Sequence, residues 1–162
     1  MSKNVNSENV ASSLRFGGAS LTKSLESFSG EEWFQQPNAT TNHLMFMMGH
    51  VVVVRGMALR LLGAEWSAPW EALFGRGAVL TSREKYPPVK EILAAWEDVS
   101  RRVPEAVEAA TPEKLASAPP PHVPTFDGTL GGVIAFLAAH EWYHVGQVAY
   151  LARWFGHGAV SG

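Results

Sequence analysis

The chain has 162 residues, 46% of them hydrophobic and 17% charged, with a formal net charge of −2; that is one domain's length with enough apolar surface for a sizeable core. Its 13 basic residues are scattered, with no run longer than Arg101-Arg102, which argues against nucleic acid or an acidic membrane as partner. Zero cysteines exclude disulfides, thiolate metal sites and a cysteine nucleophile.

The opening MSKNVNSENVASS is polar and has no secretory h-region, so a cytoplasmic protein with a disordered stretch over residues 1–9 is expected. Residues 10–28 carry Leu14, Leu21, Leu25 and Phe28 at helical spacing, and Ser29-Gly30 ends that first helix. A second helix starts near Thr40 to Asn42, runs to about Leu62 and stops at Gly63. Its four consecutive valines, Val51 to Val54, favour a strand locally. The apolar pattern nevertheless continues through Met57, Leu59 and Leu62, too long for a typical strand, so helix prevails. Residues 44–54 are interrupted by His50 and followed by Arg55 and Arg60, too short and too charged a stretch for a membrane span. The methionines Met45, Met47, Met48 and Met57 read as core filling.

Residues 64–86 form a long connection whose Trp66, Trp70 and Phe74 either pack onto the helices or wall a pocket. A third helix begins near Pro88, and Pro104 is expected to kink or break its last part. Thr111-Pro112-Glu113 starts a short helical turn, and residues 118–124 make a stiff, proline-rich linker. Asp127 or Thr129 then caps a fourth long helix that ends at Gly156. The expected fold class is all-α. The chain reads as a single domain over residues 1–162, a four-helix bundle with a long crossover between helices 2 and 3, which would make those two parallel.

The fourth long helix contains His140-Glu141-Trp142-Tyr143-His144. Histidines at i and i+4 lie about 40° apart around a helix and one turn apart along it, so both rings can converge on one metal ion. A third ligand must come from elsewhere. His50 is the natural candidate, because an unpartnered imidazole inside an apolar run would be costly. The string also spells H-E-x-x-H, the zinc-protease signature in which the Glu is a general base. Such a site needs a further downstream ligand. No carboxylate follows Glu141, and Gln147 and Tyr150 stand where the extended signature requires Gly and His. A three-nitrogen site with open positions is catalytic in type rather than structural. Candidate catalytic residues are Glu141, Gln147 and His43, without an assigned role. Glu141 either orients a ligand or faces a partner helix or solvent. Gln147 is placed to touch a metal-bound water or to close a helix contact. His43 lines the cavity mouth or is a surface residue at the helix start. His122 and His157 are expected to be exposed.

Gly49-His50 in the second helix, His140 to Gln147 in the fourth, Leu151 to Gly156 after them and Ser29 to Trp33 before them together resemble the DinB-like family of metal-dependent enzymes. The resemblance implies an up-down-down-up four-helix bundle, often a homodimer. Carried over by motif position, His50, His140 and His144 would hold a divalent ion, nickel or zinc first, iron or manganese next. Some members are transferases or isomerases dependent on low-molecular-weight thiols. A thiol-dependent transferase, or a hydrolase using metal-activated water, is therefore the leading expectation. The substrate would be a small molecule. A non-catalytic metal- or ligand-binding stress protein is the alternative.

Overall fold

A computed structural model describes residues 6–158, which are helical with no strand among them. Helix α1 (Ser7–Leu25) begins earlier than the apolar pattern suggested, because Asn6 Oδ1 accepts the N–H groups of Glu8 and Asn9 at 3.0 and 3.2 Å. Of the stretch expected to be disordered, residues 7–9 are thus in helix, and residues 1–5 lie outside the described residues. The helix also ends sooner. Ser24 and Ser27 turn their hydroxyls onto the carbonyls of Ser20 and Ser24, a competing local pattern that weakens helix continuation.

Helix α2 (Leu44–Leu62) is capped by the His43 side chain, whose Nδ1 accepts the Phe46 N–H at 3.1 Å. It stops at Gly63, where φ is 97°, a left-handed turn that returns the Gly63 and Ala64 N–H groups to the carbonyls of Arg60 and Leu59. The valine run lies inside this helix, with Val51, Val52 and Val53 in the core. By length and composition α2 could cross a membrane, but 67% of its apolar window is buried against the rest of the protein, as in a core helix.

Helix α3 (Val89–Ala109) runs through Pro104, so the expected break does not occur. Proline removes the N–H that would have bonded the Ser100 carbonyl four residues back. That carbonyl instead accepts from Arg55 Nη1 at 3.3 Å. A short helix α4 (Pro112–Ala116), capped by Thr111, precedes α5 (Leu130–Trp154), capped by Thr129 through the Gly132 N–H. Helix α1 packs on α3 and α5, and α2 packs on the same two, so the four long helices enclose one core.

The connection over residues 64–86 contains two 3-10 turns, Glu71–Leu73 and Arg83–Lys85. Its Phe74 is fully buried against Gly49 of α2, where any Cβ would overlap the phenyl ring. Trp66 sits over Gly56 in the same way. Two glycines in α2 therefore let the crossover lie directly on the helix backbone.

Candidate metal centre

Helices α2 and α5 bring His50, His140 and His144 together, and one ligand atom from each lies within 4.8 Å of the others. His140 Nε2 is 3.2 Å from His144 Nε2 and 3.5 Å from His50 Nε2. Two nitrogens on one tetrahedral ion at the usual zinc–nitrogen distance stand roughly 3.3 Å apart. The donor set thus fits a divalent ion in both chemistry and spacing.

Two of the rings are aimed by what their other edge touches, and the third by a stacked neighbour. His50 Nδ1 lies 2.8 Å from the Phe74 carbonyl, an acceptor only, so Nδ1 is the donor and Nε2 is the nitrogen turned toward the other two rings. His144 Nδ1–H donates to Gln147 Oε1 at 2.7 Å, and Gln147 Nε2 donates to Tyr143 Oη at 3.1 Å. The ring of His140 lies nearly parallel to that of Phe136. Hydrogen-bonded outer partners of this kind fix tautomer and ring orientation in metal sites. Burial pushes the His144 pKa down to about 4, with His140 and His50 adding to the effect and the Gln147 bond opposing it. Burial, then the neighbouring His50, also holds His140 below its ordinary value. Both shifts favour the neutral ring, the form that can ligate.

Glu141 is not among the converging ligands. Its two oxygens take Arg55 Nε and Nη2 at 2.6 and 2.7 Å, and the pair is 2% and 4% exposed. Arg55 Nη2 also donates to the Leu14 carbonyl of α1 at 2.7 Å, Nη1 reaches the Ser100 carbonyl of α3, and the guanidinium stacks over Trp96. Of the two alternatives for Glu141, the fold realises the contact with a partner helix. Gly17 and Gly18 leave the space: a Cβ at Gly17 would stand 3.0 Å from Glu141 Oε1, and one at Gly18 would stand 3.2 Å from Arg55 Nη2.

Arg55 is the residue that sequence reasoning missed. Its signal was present, a cation five residues past His50 in an otherwise apolar helix, but its partner lies 86 positions away. His43 is buried as the α2 cap, packed against Phe34 and Tyr86, and lies outside the histidine group. Burial holds its pKa below the ordinary value. His122 is exposed as expected. His157 is not: it is half-buried against Phe28 and Phe155, and Nε2 lies 3.1 Å from Glu32 Oε2.

The family described as the DinB superfamily matches this chain over residues 13–148. That span holds all three histidines as well as Arg55 and Glu141, while the Leu151 to Gly156 stretch of the resemblance lies beyond it. No curated protein matches the chain. The match covers most of the chain, which therefore belongs to the DinB superfamily, a metal-binding family.

Proposed function

We propose that this member of the DinB superfamily is a cytoplasmic metal-dependent enzyme, a thiol-dependent transferase or a related hydrolase, with nickel or zinc held by His50, His140 and His144. The observation that carries the reading is the convergence of three Nε2 atoms, two of them aimed by the Phe74 carbonyl and Gln147 Oε1. A divalent ion with open positions supplies one kind of chemistry, lowering the pKa of a thiol or water brought to it. Because the chain has no cysteine, any thiol arrives with the substrate. The protein's own part is to hold three imidazoles at ligating distance.

The scaffold we propose is an up-down-down-up four-helix bundle. Trp96 Nε1 donates to Thr22 Oγ1, and Arg15 pairs with Glu108, which supports α1 antiparallel to α3. The Arg55–Glu141 pair and the His50–His144 contact support α2 antiparallel to α5. Trp142 Nε1 donates to Ser13 Oγ, and Phe28 meets Phe155, which supports α1 parallel to α5.

The second reading, a non-catalytic metal- or ligand-binding stress protein, is favoured by one observation: Glu141, the carboxylate next to His140 in the chain, is already committed to Arg55. The test is elemental analysis of the purified chain, followed by assays for conjugation of small thiols to electrophiles and for ester and amide hydrolysis. Stoichiometric nickel or zinc, with activity lost in His140→Ala, is expected. Stoichiometric metal without turnover selects the second reading. No metal, and no rise in melting temperature on adding nickel or zinc, overturns both.

A further inference from the structure

A cleft of about 550 Å³ opens beside the histidine group, between the segment that leads into α2 and the outer face of α5. Its size falls within the usual range for a small-molecule site. Tyr143 and Tyr150 flank it, 64% and 63% exposed, seven residues and thus about 10.5 Å apart along the helix. Between them Gly146 forms an open floor, since a Cβ there would meet nothing within 4 Å. Met47 and Leu151 give it an apolar side, and Thr41 and Asn42 give it a polar rim. Among the described residues, no Asp, Glu, Lys, Arg or His lines it.

We propose that this cleft binds an uncharged molecule with a flat ring and a carbonyl-type acceptor, and that this is the class of the enzyme's second substrate. A charged ligand would find no counter-charge in this lining to favour it over a neutral one. A flat ring finds two exposed tyrosine side chains to pack against and a bare stretch of helix between them. The acceptor finds the Tyr143 hydroxyl, which already takes a hydrogen bond from Gln147 Nε2 and so has its own O–H to give. Gln147 in turn accepts from His144, so an unbroken hydrogen-bonded chain joins the cleft to the histidine group. The substrate role rests on the metal-centre reading; binding in the cleft does not require it.

The test uses the full metal-free chain in a chelator, titrated with benzamide, benzoate and benzylamine and followed by ligand-observed saturation-transfer NMR. Benzamide is expected to bind, with the anion and the cation at least about tenfold weaker. Gly146→Leu, which fills open space on a helix surface, and Tyr150→Ala are each expected to weaken benzamide about tenfold at an unchanged melting temperature. Equal binding of all three probes, or benzamide binding that survives Gly146→Leu, overturns the proposal. So does a chain that sediments as a dimer and takes up no benzamide, since the two tyrosines are then covered by a second copy. A chain that binds benzamide but never nickel or zinc keeps the cleft and loses the metal centre; the opposite result does the reverse.

Discussion

Gln147 sits where two tasks meet, holding the His144 ring by its Nδ1–H and reaching Tyr143 with its own amide. Replacing it with leucine keeps the bulk and removes the acceptor. Gln147→Leu is expected to lower nickel or zinc affinity roughly 10–100-fold, the usual effect of losing an outer partner. Competition with a chromophoric chelator measures it, and unchanged affinity would show that the bond does not orient the ring. Acid acts on the same residues. His43, His140 and His144 all have folded-state pKa values below the ordinary one. As pH falls below about 6.5 the unfolded chain therefore takes up more protons at these positions than the folded chain does. Stability of the metal-free protein is expected to fall as pH drops from about 6.5 toward about 4, and denaturant melts across that window check it. At this scale the histidine group was legible, because i,i+4 spacing and an apolar context are local features. The cap role of His43 was not, since a ring at a helix start looks the same in sequence whether it points to solvent or back to its own backbone.

Among the elements, the crossover does more than connect. Phe74 lies on Gly49 and offers its carbonyl to His50, so docking of the 64–86 segment aims one of the three rings. Gly49→Ala is expected to push Phe74 away, costing about 1–3 kcal/mol in stability. It should also weaken metal binding, whereas Gly146→Ala, in open space, should change neither. Parallel denaturation and metal titrations separate these outcomes. The Arg55–Glu141 pair is expected to behave as a unit. Arg55→Met or Glu141→Met alone breaks it inside the core, at a cost of roughly 3–5 kcal/mol. Arg55→Met with Glu141→Met should recover much of that loss in a double-mutant cycle; strictly additive losses would mean the two side chains act separately. Helix starts and stops were largely readable, since Gly63, Thr111 and Thr129 act where their chemistry says they should. The unbroken run through Pro104 was not readable, because the guanidinium that takes up the freed Ser100 carbonyl belongs to another helix.

For the molecule as a whole, the histidines come from α2 and α5, so an ion held by all three would bind the folded chain and not the unfolded one. Added nickel or zinc should raise the melting temperature progressively, by about 2.7 kcal/mol of stability at one hundred times the dissociation constant. The all-helical class followed from periodicity and the expected parallel pair from the length of the crossover, while the up-down-down-up order came from family resemblance, because inter-helix contacts leave no local trace. Arg55 shows the difficulty best: it touches α1, α3 and α5 from a position on α2. This sets a rule for how relatives of this chain can diverge. Either member of the pair, lost alone, strands a buried charge, so positions 55 and 141 are free to vary only together. Where both become neutral, positions 17 and 18 are released to carry side chains. Across an alignment of the superfamily, then, the acidic letter of the H-E-x-x-H string should track an arginine on another helix more closely than it tracks the two histidines beside it.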